Sequence, residues 1–190
     1  MPLLLLKDLP RYECLLEGSK EFPELDPSAC EAYLNLLRTG DEVFSIMEHY
    51  LSAHDISQGR FCVLMLLWKA QHLRAGADCL GAGDPCTPAS LADAAGVTRA
   101  TMTGLIDTLE RDGLVRRVPN PDDRRMMTVQ LVPEGQAFVS NLLPEYFKLI
   151  AAVMQGLDVA ERKTLVGLLH KILERTAAMR IRVTPAPALR

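Results

Sequence analysis

No two cysteines in this chain have the spacing of a zinc site, and their total of five, at positions 14, 30, 62, 79 and 86, is odd. Neither a structural metal nor a disulfide framework is indicated, and most of the thiols are expected to be reduced and inert. Long apolar runs are missing too: none approaches the length of a membrane span. Pro2–Leu6 is apolar but far too short for a signal peptide, and no cleavage signature follows it. The chain is therefore expected in the cytoplasm, with no membrane partner. The four histidines, at 49, 54, 72 and 170, are scattered, and His49 and His54 miss the i, i+4 spacing of a helical zinc pair. A nucleophile elbow and a phosphate-cradling glycine loop are both lacking. Asp41, Glu42 and Glu48 read most simply as a solvated face. No enzymatic activity, metal or cofactor is expected.

A surplus of positive charge is absent as well. The formal net charge is −3, which speaks against nucleic-acid binding. Its distribution answers this in part. Between Gly113 and Gln130, Arg116, Arg117, Arg124 and Arg125 face only Asp122 and Asp123, while acids gather in Glu13–Glu31 and Asp41–Asp55. Such a chain still allows specific DNA binding, with weak nonspecific affinity and strong salt dependence.

What is present is concentrated in residues 87–132. Thr87 can cap a helix with its hydroxyl, and Pro88 suits the first helical position, where a missing N–H costs nothing. Leu91, Ala94 and Ala95 supply a narrow apolar face. Gly96 provides a left-handed turn, Val97 plugs the corner and Thr98 caps the next helix. There Met102, Leu105, Ile106 and Leu109 fall at i, i+3, i+4 and i+7 as one buried stripe. Thr98, Arg99, Ala100, Thr101 and Thr103 lie near the N-terminus of that helix, mostly off the stripe. A recognition helix offers such residues to base edges in the major groove.

Two ordinary amphipathic helices joined by a short turn would share this pattern, but the continuation says more. Asp112-Gly113 stops the helix, Leu114–Val118 reads as a strand, and Met127–Val132 alternates as its partner. The polar, turn-forming run Pro119–Arg125 lies between them. Arg124 and Arg125 on an exposed hairpin tip suit phosphate contact and the narrow minor groove, with Asp123 holding an arginine in register. The expected fold is mainly α with a small β wing (α+β), a winged helix-turn-helix.

These residues, with Asp123-Arg124-Arg125, Val129-Gln130-Leu131 and Pro133-Glu134-Gly135, resemble the wing signature of the MarR family of bacterial transcription regulators. The resemblance runs from about Ala32 to about Leu173, and its motifs are specific taken together. It implies a homodimeric DNA-binding regulator, usually a repressor, released by a small anionic or phenolic ligand or by thiol oxidation. Thr87, Thr98, Arg99, Ala100, Thr101, Thr103, Asp123, Arg124 and Arg125 are the expected DNA-binding residues. The expected partners are double-stranded DNA with a pseudo-palindromic operator, a second copy of the chain, and an aromatic or phenolic acid.

The remaining segments read as follows. Leu3–Leu16 is expected to be a short helix, followed by a linker through Phe22, Pro23 and Pro27. Ser28–Ala53 reads as a long helix, and Gln58–Leu73 as a nearly all-apolar one that should be buried on several sides. Residues 75–86 form a Gly-rich insertion. Glu134–Gln155 and Val159–Met179 are two further helices, the first interrupted by Pro144 and the second opened by a capping box, Asp158 with Glu161. Residues 1–55 are assigned to N-terminal helices that dimerise and border an effector crevice. Residues 56–132 make the DNA-binding domain, 133–180 the C-terminal dimerisation helices and 181–190 a tail. The terminal helices carry enough apolar surface to interleave with a partner; closing a monomeric core is the other reading.

In proteins of this family a ligand sits between the dimer helices and the DNA-binding lobe. His49, Phe61, Cys62, Met65, Trp68 and Arg117 are the candidates for such a crevice, although a Met and aromatic stripe on a buried helix is also what a core looks like. A urate-responsive branch carries an extra N-terminal helix, which Leu3–Leu16 resembles, but it has a Trp-Asp pair where this chain has Phe61-Cys62. Thiol-sensing relatives place a reactive cysteine near the start of the long helix. Tyr33 stands at about that position and Cys30 one turn earlier, which makes Cys30 the redox candidate. A winged-helix protein-interaction module without DNA binding is the remaining alternative.

Overall fold

Proline placement decides where this chain turns helical. The computed structural model describes residues 8–72, 86–120 and 126–180. Helix α1 spans Tyr12–Glu21; of the helix expected over Leu3–Leu16, residues 3–7 lie outside the described residues and 8–11 are not helical. Pro10 disfavours helical backbone at Leu9 and has no N–H of its own, so the helix sets in beyond it. It ends at Phe22, whose N–H bonds to the Gly18 carbonyl and which precedes Pro23. Helix α2 (Pro27–Ser52) starts on Asp26, whose carboxylate accepts from the N–H groups of Ser28 (3.0 Å) and Ala29 (3.1 Å). The Ala29 bond first, and then the Ser28 hydroxyl, hold the Asp26 carboxyl below its usual pKa.

The elbow between α2 and α3 (Gln58–His72) turns through Asp55 at φ 55°, a left-handed conformation that aspartate tolerates. Ile56 then donates its N–H to the Leu51 carbonyl (3.2 Å) and buries its side chain. Helix α4 (Pro88–Ala95) and helix α5 (Arg99–Arg111) follow, then strand β1 (Val115–Pro119) and strand β2 (Met127–Leu131). The strands pair antiparallel with Val115 opposite Leu131 and Pro119 opposite Met127. Val129 also donates its N–H to the Cys86 carbonyl (2.8 Å), which ties the sheet to the segment entering α4. The fold is thus mostly helical, with a two-stranded antiparallel sheet.

Helix α6 (Pro133–Val153) approaches the start of the sheet so closely that only glycine fits at one position. A Cβ on Gly135 would stand 2.0 Å from the Leu114 carbonyl oxygen. That carbonyl is already engaged by the Val132 N–H (3.2 Å). The chain divides into two units, one ending at Tyr146 and one beginning at Phe147. The first holds a single core, which includes Leu51, Phe61, Val63, Leu64, Leu67, Leu91, Met102, Ile106, Leu109, Val115, Val129 and Val139. Tyr50 closes one side of it, its hydroxyl donating to the Leu142 carbonyl (2.9 Å).

The second unit contains the end of α6 and helix α7 (Val159–Arg180). Asp158 and Glu161 form the expected capping box, each accepting from the other's backbone N–H at 2.8 Å. Arg162 donates from Nε (3.1 Å) and Nη2 (2.7 Å) to the Met154 carbonyl near the end of α6. No side chain described between Phe147 and Met179 is buried. No helix among the described residues is long and apolar enough to cross a membrane.

Candidate nucleic-acid interface

Two short helices and their caps build the reading head. The Thr87 hydroxyl accepts from the Ser90 N–H (3.1 Å), and the Ser90 hydroxyl accepts from the Thr87 N–H (3.0 Å), a reciprocal cap that fixes the start of α4. Thr87 itself is buried. At the other end Gly96 stands at φ 65°, the left-handed turn that glycine permits without penalty. Two details differ from expectation. Ala92, rather than Ala94, joins Leu91 in the core, and Ala94 is exposed. Val97 is 37% exposed instead of plugging the corner. The buried apolar side chains on either side of the Gly96 turn are Leu91, Ala92 and Met102 instead.

Thr98 caps α5: its Oγ1 accepts from the Thr101 N–H (3.1 Å) and lies 2.8 Å from the Thr101 hydroxyl. Met102, Ile106 and Leu109 are fully buried and Leu105 half-buried, so the opposite face of α5 is turned to solvent. That face presents Thr98, Arg99, Ala100, Thr101 and Thr103 together, with the Thr103 hydroxyl bonded back to the Arg99 carbonyl (2.9 Å). Gly104 continues the same exposed face, and a Cβ there would meet nothing within 4 Å. Reading the sequence alone gave no reason to single out Gly104. The only signal is its position, two residues past Met102 and off the apolar stripe.

Next to this face Pro88, Ala89, Arg99, Thr103, Met126 and Met127 line an open cleft of about 340 Å³. Met126 and Met127, each 39% exposed, were not anticipated as surface-lining residues. Their place directly after Arg124-Arg125 is the signal that could have found them. Asp123, Arg124 and Arg125 lie outside the described residues, as do residues 75–85 of the expected insertion. The strands leading to and from the wing are in place, and the Asn120 N–H bonds to the Met126 carbonyl (2.8 Å) beyond the last strand pair.

The C-terminal half of α5 carries two acids and its C-cap a third, yet each of the three has an arginine partner. Arg117 on β1 donates from Nη2 to Asp107 (2.5 Å), from Nη1 to the Glu110 carboxylate and from its backbone N–H to Glu110 Oε1 (2.9 Å). Burial works against the Arg117 charge, but the bonds to Asp107 and Glu110 outweigh it and raise its pKa above the usual arginine value. Arg60 on α3 pairs with Asp112. The acids of α5 and its C-cap are thus compensated within the protein.

The residues assigned by sequence to an effector crevice occupy different settings. His49 is exposed on α2, and Phe61 is buried with its ring 4.8 Å from that of Tyr146. Cys62, Met65 and Trp68 are half-buried on α3, and the Trp68 ring stacks on His72. Arg117 has its guanidinium committed to α5 rather than held open. Cys30 is half-buried in the first turns of α2. Burial pushes the Cys62 and Cys86 thiols up, which keeps them protonated near neutral pH. Among the described residues there is no group of three His, Cys, Asp or Glu that could hold a metal ion.

Comparison with known proteins converges on one group. Residues 78–127 match the model of the MarR family. The HTH-type transcriptional repressor YetL of Bacillus subtilis (strain 168) is 33% identical over 175 residues, covering 92% of this chain and 98% of that protein. BpsR of Bordetella bronchiseptica, solved in a study of how 6-hydroxynicotinic acid regulates its DNA binding, superposes with a TM-score of 0.58 at 26% identity, over 72% of this chain and 89% of that one. A mutant MarR from E. coli complexed with operator DNA shares the fold, with a TM-score of 0.60 at 24% identity, over 82% of this chain and 96% of that one.

Proposed function

The chain belongs to the MarR family of transcription regulators, and from that premise we propose that it is a dimeric, sequence-specific DNA-binding repressor released from its operator by a small aromatic or phenolic acid. The observation that carries this reading is the exposed N-terminal face of α5. Thr98, Arg99, Ala100, Thr101 and Thr103 stand free of the core on a helix whose other side is fully buried. Residues in that position reach base edges when the helix enters the major groove. Thr87 serves this interface by fixing the start of α4. To Arg124 and Arg125, which lie between β1 and β2 in sequence, we assign phosphate and minor-groove contacts, with Asp123 orienting them. That YetL is a repressor supports repression as the output.

Dimerisation is supported by apolar surface in each unit. The first exposes Tyr33, Leu36, Phe44 and Ile46 on α2, and the second exposes Val166, Leu168, Ile172 and Leu173 on α7. Side chains of this kind are ordinarily covered in an obligate interface. A two-fold pair presents its recognition helices about 34–36 Å apart, one DNA turn, and so favours a pseudo-palindromic site. Regulation of BpsR by 6-hydroxynicotinic acid, itself an aromatic acid, supports an effector of that class. His49, Cys62, Met65 and Trp68 are the residues we assign to its binding, next to the buried Phe61. An acid reaching Arg117 has to compete with Asp107 and Glu110, and displacing them loosens α5 from the wing.

The test is selection of duplexes from a random library by the full chain, followed by a thermal-shift screen of aromatic acids. Enrichment of a pseudo-palindrome, and an acid that both raises the melting temperature and releases the duplex, are the expected results. Equal affinity for all duplexes contradicts the reading and favours a protein-interaction module.

A further inference from the structure

One half-buried charge in the first unit has no part in the contacts assigned to DNA or effector. Arg60, in the first turn of α3, is only 19% exposed. Its Nη2 pairs with the Asp112 carboxylate, its Nη1 donates to the Asp55 carbonyl (3.4 Å), and its Nε is buried with no partner among the described residues. Asp112 is thus the charge that balances this half-buried guanidinium. We propose that Arg60 is a positioning residue, which fixes the end of the recognition helix α5 and the turn into the wing against the elbow between α2 and α3.

The two ends of the bridge are both turning points of the backbone. Asp55 stands at φ 55° where α2 gives way to α3. Asp112 is the C-cap of α5, and Gly113 after it stands at φ 69° where the chain turns into β1. One rigid guanidinium thus spans the turn that orients α3 on α2 and the turn that orients β1 on α5. The two turns are more than fifty residues apart in sequence, Arg60 and Asp112 themselves by 52. A planar fork addresses the two from separate nitrogens held in one rigid plane, whereas a lysine would have to reach both from a single nitrogen. Arg111 also approaches Asp112 (3.7 Å), but its side chain is 75% exposed and screened by solvent. Because Arg60 is half-buried and paired, it acts on DNA binding through α5 and not by touching a phosphate.

The inference rests on the DNA-binding reading above, and its test uses a duplex selected by the wild-type chain as the probe. Arg60→Ala and Asp112→Ala are each expected to weaken binding about tenfold at temperatures where circular dichroism shows them folded. The double variant should bind no worse than Arg60→Ala alone, because the two groups act as one. The slope of affinity against salt should stay at its wild-type value in all three. Arg60→Lys keeps the charge and the stem, so it folds where alanine does not, and it should show part of the same loss.

Wild-type affinity in folded Arg60→Ala or Arg60→Lys overturns the proposal. Additive losses in the double variant do the same. A salt slope reduced by roughly 0.9 per subunit shows a direct phosphate contact instead and also overturns it. If the wild-type chain enriches no duplex at all, the DNA-binding reading fails first and takes this inference with it.

Discussion

Up to Tyr146 the chain encloses a core of apolar side chains, and among the described residues from Phe147 onward it encloses none, although both parts are rich in leucine, isoleucine and valine. In the first unit Leu51, Leu64, Leu91, Met102, Ile106 and Leu109 are fully enclosed. In the second, Val166, Leu168, Ile172 and Leu173 are each between 44% and 62% exposed. Helix α7 has a cap, a well-placed arginine at Met154 and a full turn count, so local signals specify it as a helix. Local signals do not give it a core. The first unit has a core of its own, whereas the proposed dimer is what would cover the second, together with the exposed apolar residues of α2.

The sharpest way to break this contrast is to disturb the first unit where its backbone is tightest. Gly135→Ala should destabilise the fold by about 4 kcal/mol or more, beyond the usual overpacking cost of about 1–3 kcal/mol, because the clash is with backbone and not with a side chain that can move. Chemical denaturation monitored by circular dichroism would reveal this as a lowered midpoint with an unchanged slope. A next pair of substitutions sets the two units directly against each other. Leu109→Ala should cost about 2–5 kcal/mol at every protein concentration. Ile172→Glu should instead lower the apparent stability only through subunit dissociation, so sedimentation would show a smaller species and the melting temperature would depend on concentration. Equal, concentration-independent losses from both would erase the distinction drawn here.

Smaller effects sharpen the picture within the reading head. Thr98→Ala removes the α5 cap and should cost about 1 kcal/mol in thermal or urea unfolding. Gly104→Ala should act in the opposite direction and stabilise the chain by about 0.5–1 kcal/mol, since glycine is unfavourable in a helix interior and a Cβ there meets nothing. A loss of stability in Gly104→Ala would mean that the α5 surface is covered by something other than solvent.

The reading head was legible in the sequence because its determinants are local. Thr87, Gly96 and Thr98 act on backbone groups within three residues of themselves, and Met102, Ile106 and Leu109 follow the helical period. The same holds for Asp158 and Glu161. Legibility failed where a determinant was distant or where two local signals competed. Leu3–Leu16 reads as one helix, yet across Asp8–Arg11, around Pro10, the described backbone is not helical, and α1 covers Tyr12–Glu21. Val97 looked like a plug because it is apolar and next to a turn, yet the side chains buried around that turn are Leu91, Ala92 and Met102. The partners of Arg60 and Arg117 depend on how α3, α5 and β1 pack, and no periodicity in sequence records that. Gly135 was noticed as part of a family signature, while its physical reason, the approach to Leu114, appears only when the two segments are brought together.

The central claim is that the exposed N-terminal turn of α5 reads bases while the wing arginines hold the backbone. It is tested most directly by selecting duplexes from one random library with the wild-type chain, Arg99→Ala, and a chain carrying both Arg124→Ala and Arg125→Ala. The account predicts a relaxed or altered consensus for Arg99→Ala. For the wing variant it predicts an unchanged consensus, bound more weakly and with a flatter salt dependence. An identical consensus from Arg99→Ala and wild type, with Thr101→Ala equally silent, would contradict it.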